Sequence, residues 1–123
     1  MSGGYTGKIL TIDLEKESII IEKTNLRDAK NFIGAKGMGA KILFDRLPKN
    51  TTPLSSKNIL IFSTGPLTGT SAQTSGRGTV VTKSPQTGLF VDSHFGGFLV
   101  IEMNKRGGDC IRINGKSKGP TLV

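Results

Sequence analysis

Hydrophobic and polar positions alternate first in Gly7–Leu14, "GKILTIDL". Ile9, Thr11 and Asp13 fall on one side and Leu10, Ile12 and Leu14 on the other, the period of a strand. "SIIIEK", Ser18–Lys23, follows after a short charged turn, and the two segments predict a hairpin. Asn25 then suits a helix N-cap, with Asp28 placed in the first turn where the helix dipole favours an acid. A short helix is expected over Leu26–Ile33, ended by Gly34, and a second from about Gly37 to Leu47, stopped by Pro48. "NILIFSTG", Asn58–Gly65, is a continuous apolar run ending in glycine and predicts a buried strand. "TVVTK" (79–83) and "GLFVDS" (88–93) predict two more strands, separated by turn residues. "GFLVIEMNKRG" predicts a helix with Gly107 just past its end. "DCIRING" and the final "TLV" predict closing strands. The order of elements is that of an α+β domain with largely antiparallel strands.

Length and composition narrow this. A chain of 123 residues suffices for one domain with one core. Seventeen glycines are about twice ordinary usage, yet they follow no fixed period. No run approaches the ~18 apolar residues of a membrane span. The start "MSGGYTGKIL" lacks the charged head and long apolar core of a signal peptide, so a cytoplasmic protein is expected. The single cysteine, Cys110, excludes an internal disulfide and any cysteine-built zinc or iron–sulfur cage made by this chain alone. A small buried apolar role for Cys110 is favoured over a reactive thiol.

The net charge is +8, with the basic excess spread over both halves of the chain. Such a surface suits an anionic partner: nucleic acid, an acidic protein or a phosphorylated cofactor. Aromatics are 6% of residues and tryptophan is absent, which is poor material for stacking bases, and no nucleic-acid motif is present. Nucleic acid and membrane are therefore not expected partners.

Three glycine-containing connections stand out: "GAKGMGAK", "GPLTGTSAQTSGRG" and "SHFGG". The first follows no strand and is neither a dinucleotide fingerprint nor a phosphate loop. A plain break between two helices explains it better. The other two leave two readings open. Gly96 and Gly97 precede a predicted helix, whose N-terminus attracts anions, and Arg77 sits between Gly76 and Gly78, where its planar guanidinium is uncrowded. The same letters also describe two tight turns and one solvated arginine. His94 has no second histidine near it and reads as a structural hydrogen-bonding residue before a metal ligand. Asp92 and Glu102 are the acids nearest these turns, and each reads as a solvated or capping group. No residue of the chain is assigned a catalytic role.

At these residues the chain resembles a known family. "YTGKILTIDLEKESIIIE", "FIGAKGMGAKILFDRLP", "GPLTGTSA", "SGR", "VVTKSPQTG" and "GGFLVIE" are similar to the N-terminal domain of the aldehyde ferredoxin oxidoreductase family, over essentially Gly4–Val123. The resemblance implies a single pterin-cofactor-binding domain over residues 1–123, with two mainly antiparallel β-sheets and a few short helices. It implies a tungsten (or molybdenum) bis-pterin cofactor with a bridging magnesium. The 4Fe–4S cluster would belong to domains or a partner chain outside these residues. The activity implied is oxidation of aldehydes to carboxylic acids with electrons passed to ferredoxin. Arg77 falls on a pterin-contacting arginine, and Gly96 and Gly97 fall on cofactor-contacting glycines. His94 replaces an asparagine whose backbone carbonyl serves the magnesium, a role a main-chain oxygen retains. Phe95 replaces a small serine and brings bulk to a crowded place.

Three accounts follow. The chain is a pterin-binding part of a larger enzyme, joined to a chain with the iron–sulfur and helical domains. Or it is a cofactor-free fragment, or a repurposed binding or scaffold module. In each, apolar surface left uncovered predicts a homo-oligomer when the chain is isolated.

Overall fold

The computed structural model describes residues 3–123. The elements run β1 (Lys8–Asp13), β2 (Ser18–Lys23), α1 (Leu26–Phe32), α2 (Ala35–Arg46), β3 (Ile59–Thr64), β4 (Gly78–Lys83), β5 (Phe90–Phe95), α3 (Phe98–Lys105) and β6 (Cys110–Asn114). The α+β class is as expected from the sequence. The strands form one six-stranded sheet in the order β2-β1-β6-β3-β4-β5, where two sheets were expected. The reason is β6. It lies between the N-terminal hairpin and the β3–β4–β5 meander, parallel to β1 (Ile9 opposite Cys110) and antiparallel to β3 (Phe62 opposite Ile111), so it joins what would otherwise be separate sheets. The closing segment Thr121–Val123 forms no strand. Ile33, φ 64°, ends α1, so Gly34 serves another purpose than the expected helix stop. A Cβ at Gly34 would lie 2.9 Å from Pro66 Cδ and 3.2 Å from the Thr64 oxygen, so glycine allows two backbones to meet.

The hairpin and α1 form for local reasons. The Asp13 carboxylate accepts from the Glu15 and Lys16 N–H groups at 3.0 Å and holds the turn. The Asn25 side chain accepts from the Arg27 N–H at 2.9 Å, the expected cap. The Tyr5 hydroxyl donates to the Ala29 and Ile33 carbonyls at the other end of α1.

α2 lies across one sheet face. Leu43 packs with Ile59, Ile61 and Val81, and Met38 packs with Ile9 and Cys110. Ile61, Val81 and Val100 are wholly buried. The opposite sheet face carries Leu10, Ile12, Leu60, Phe62, Val80, Ile111 and Ile113, which are half-buried. α3 covers only part of it, where Val100 approaches Gly78.

One carboxylate ties the chain's distant parts together. Asp109, 6% exposed, accepts from the Thr6 N–H (2.7 Å) and hydroxyl (2.9 Å), the Gly7 N–H (2.9 Å) and the Thr24 hydroxyl (2.6 Å). It fastens the start of β1 and the end of β2 to the entry of β6.

Candidate functional site

Strand β5 runs two residues beyond the expected Ser93, through His94 to Phe95. Pairing of Gly78 with Phe95 then brings the glycines on either side of Arg77 next to Gly96. A Cβ at Gly96 would lie 3.4 Å from the Gly76 oxygen and 3.8 Å from Arg77 Cδ. Arg77, before β4, and the Gly96–Gly97 pair, after β5, thus share one end of the sheet.

The Gly65–Arg77 loop is held by its own hydroxyls. Thr68 Oγ1 accepts from the Gly65 N–H at 3.1 Å and donates to the Arg77 carbonyl at 3.3 Å. Thr70 and Ser75 donate to the Leu67 and Ala72 carbonyls. Gly69, φ 75°, rests against Ile101 and Asn104 of α3. The small and hydroxyl residues therefore build an ordered support beneath Arg77.

Gly97 is the N-cap of α3, with φ 83° and ψ −163°, a conformation suited to glycine. No side chain caps this helix. A Cβ on Gly97 would meet no atom within 4 Å, so the space beside it is open. The first N–H groups of α3 lack an intrahelical partner by geometry, and they face an anion-favouring helix end. Phe98, 86% exposed, and Leu99 form an apolar rim beside them.

His94 and Phe95 go to opposite faces of the sheet. The Phe95 ring meets Phe62 edge-on, centroids 5.9 Å apart at 78°. It also fills the place a side chain at Gly78 would take: a Cβ there would sit 2.7 Å from both Phe95 Cζ and Val100 Cγ2. The bulk expected to crowd the glycine turn is taken up under α3 instead.

The His94 ring lies on the α2 side, with Nδ1 3.3 Å from Thr79 Oγ1 and Nε2 3.3 Å from Asp92 Oδ2. Asp92 Oδ1 is 2.9 Å from Lys36 Nζ. The hydrogen bond from Lys36 holds the Asp92 carboxyl below its ordinary pKa, against the opposing effect of desolvation. Asp92 is thus an ion-paired member of a cluster, beyond the solvated role read from the sequence. Sequence reading did not connect Lys36 and Thr79 with His94, because each lies on a different element. Glu102 pairs with Arg106 one turn later on the surface of α3, 3.4 Å apart.

The backbone of His94 has its own direction. The Ser84 N–H donates to the Leu89 carbonyl at 2.8 Å, which sets the phase of the β4–β5 ladder. Val91, Ser93 and Phe95 turn their polar groups toward β4, so the carbonyl of His94 points out from the unpaired edge. No group of three or more His, Cys, Asp or Glu side chains able to hold a metal ion occurs among the described residues. Metal binding at this end would rest on main-chain oxygen and on a ligand's own donors. The residues here fit an anionic cofactor: open space at Gly97, an uncapped helix end, a neighbouring guanidinium and a free carbonyl.

Two other polar or concave places lie away from this end. Glu22 accepts from the buried Arg112 (3.1 Å) and from the Thr11 hydroxyl (3.1 Å). Burial lowers the Arg112 pKa against the pull of Glu22. An apolar groove between α2 and the β4–β5 turn is lined by Phe32, Leu43, Phe44, Leu47, Leu89 and Phe90.

Comparison with known proteins places these features in context. The profile of the family described as aldehyde ferredoxin oxidoreductase, N-terminal domain, matches residues 9–123. A tungsten-containing aldehyde ferredoxin oxidoreductase of Pyrococcus horikoshii is 42% identical over 120 residues, 98% of this chain and 20% of that protein. An aliphatic sulfonate oxidoreductase, WOR-like subunit, of Pyrococcus furiosus is 35% identical over 97% of this chain and 19% of that protein. Among solved structures, the active-site complex BamBC of benzoyl-coenzyme A reductase with 1,5-dienoyl-CoA superposes with a TM-score of 0.92 and 43% identity, over 96% of this chain and 18% of that one. The chain spans about a fifth of the length of these relatives.

Proposed function

Because this chain belongs to the family of the aldehyde ferredoxin oxidoreductase N-terminal domain, we propose that it forms the cofactor-holding part of a larger tungsten- or molybdenum-pterin oxidoreductase. One observation carries the reading: Arg77, Gly96, Gly97 and the uncapped start of α3 converge at one end of the sheet. The bound metal–pterin group supplies the two-electron redox chemistry.

The chain's own residues bind and orient. The Arg77 guanidinium donates to an anionic oxygen or a heterocycle edge of the cofactor, a charge-assisted contact. Gly96 and Gly97 let the cofactor approach the main chain where a side chain would stand. The uncapped first N–H groups of α3 would hold its phosphates. The outward-facing His94 carbonyl would be the main-chain group to hold a magnesium ion, while the His94 ring stays with Thr79 and Asp92. Phe98 and Leu99 exclude water from the rim.

Cluster thiolates come from elsewhere, since the single cysteine is buried in β6. The proposed partner is therefore the part of the enzyme bearing the 4Fe–4S cluster and helical domains, with ferredoxin receiving electrons through it. Oxidation of an aldehyde is the proposed reaction, supported by the similarity to tungsten-containing aldehyde ferredoxin oxidoreductases at 42% and 44% identity. The sulfonate and benzoyl-coenzyme A enzymes resemble the chain to a similar degree. Substrate choice thus belongs to regions beyond this domain.

The test is elemental analysis of the enzyme purified from its own cells with its associated chain. Stoichiometric tungsten or molybdenum is expected. Arg77→Ala should lower metal content at least ~10-fold by removing a charge-assisted contact. His94→Ala should retain most of it, because only the main-chain oxygen is used. Loss of metal in His94→Ala with retention in Arg77→Ala would overturn the assignment. No metal in the parent enzyme would return the chain to a cofactor-free scaffold.

A further inference from the structure

Strand β2 is one outer strand of the sheet, and its free edge is apolar and regular. Ile19, Ile20 and Ile21 are 67%, 54% and 65% exposed. Their register with β1 is unbroken from Ser18 to Lys23. The run contains no proline and no bulge, the usual devices that stop such an edge from pairing. The direction of its hydrogen-bonding groups follows from one contact: the Thr24 N–H donates to the Gly7 carbonyl at 2.9 Å. Alternation then turns Ser18, Ile20 and Glu22 toward β1 and leaves Ile19, Ile21 and Lys23 with N–H and C=O facing outward.

The stretch "ESIIIEK", Glu17–Lys23, is matched to itself. Set antiparallel to a second copy about a two-fold axis at Ile20, it places Ile19 opposite Ile21 of the second copy, and Ile20 opposite Ile20. At each end Glu17 faces Lys23 of the second copy, and Ser18 faces Glu22. The outward groups of Ile19 and Ile21 become each other's hydrogen-bond partners. A shift of two residues one way sets Ile19 against Lys23 and Ile20 against Glu22. A shift of two the other way sets Ile21 against Glu17. A shift of one sets outward groups against inward ones and loses the ladder. The other outer strand, β5, lacks this symmetry and carries Asp92, bound to Lys36, at its centre.

We propose that β2 is a self-association edge, through which two copies of this chain join antiparallel about a two-fold at Ile20 and fuse their sheets into one. This is independent of the cofactor reading. Sedimentation equilibrium on the chain tests it, with circular dichroism as the check on folding. The parent chain should dimerise. Glu17→Lys and Lys23→Glu each set like charges across both ends and should raise the dimer dissociation constant ~5-fold or more. The double variant Glu17→Lys/Lys23→Glu should return it to within about two-fold of the parent, since the two sites are coupled. Ile21→Pro should give a folded monomer, because that N–H faces outward and the β1 ladder does not use it. Should Ile21→Pro fail to fold, the charge pair still decides. A parent chain that stays monomeric at ~100 μM overturns the proposal. So does a dimer indifferent to both single charge changes, which would be built on another face, or one that the double variant does not restore.

Discussion

Asp109 joins more separate parts of the chain than any other acid among the described residues. Its carboxylate satisfies four donors from two strand ends that lie about a hundred residues earlier in the chain or next to the hairpin. Asp109→Ala leaves the buried Thr24 hydroxyl and the part-buried Thr6 and Gly7 donors without this partner and should lower unfolding free energy by about 3 kcal/mol, read from urea titration. Asp109→Asn keeps one acceptor oxygen and should cost less; equal losses would mean the charge matters more than the geometry. Cys110, the next residue, has its thiol pushed up to about 12 by burial. The neutral thiol therefore favours the fold at and below the ordinary value of 9.0, and this contribution is lost as pH rises from there toward about 12. A thiol reagent at pH 8 should label Cys110 only as fast as the protein opens, and at once in denaturant. Cys110→Ala should flatten the alkaline fall in stability. Rapid labelling of the folded chain would show an exposed thiol and contradict the structure.

At the scale of elements, α2 is held close to the sheet by glycine. A Cβ on Gly39 would lie 2.9 Å from both Ser63 Oγ and Val81 Cγ2. Val81 is wholly buried and has no room to withdraw. Gly39→Ala thus sets a helix-propensity gain of about 1 kcal/mol against overpacking of about 1–3 kcal/mol. The expected outcome is a lower thermal midpoint; a rise would show that α2 can lift without cost. The sequence placed most elements well where a local signal marks them: the Asn25 cap, the alternation in β1 and Gly107 after α3, which adopts φ 93°. It missed the extension of β5 to Phe95, because His94 and Phe95 interrupt neither face visibly until Gly78 is known to lie opposite. It also over-read Thr121–Val123, which forms no strand.

For the whole molecule, the decisive fact is where β6 goes. Parallel pairing with β1 and antiparallel pairing with β3 make one sheet with two unlike faces. α2 covers one face, and the other keeps a band of half-buried apolar residues under the partial cover of α3. The two outer strands then differ in character. β5 carries the candidate cofactor end, with its Asp92–His94–Lys36 cluster. β2 carries three exposed isoleucines. Cofactor binding and self-association, as proposed, use opposite edges of the sheet and need not compete.

The α+β class, the positions of most elements and the family were legible from the residues alone. Alternation, caps and glycine stops act within a few residues, and the motifs that carry the resemblance are contiguous. The sequence also singled out Arg77, Gly96 and Gly97. That these three meet, that Phe95 turns away beneath Val100, and that His94 offers an outward carbonyl while its ring joins Asp92 emerged from the folded arrangement. Those facts depend on strand register and on pairings between residues far apart in the chain. One residue of register reverses the face of every side chain, and nothing local in the sequence specifies it.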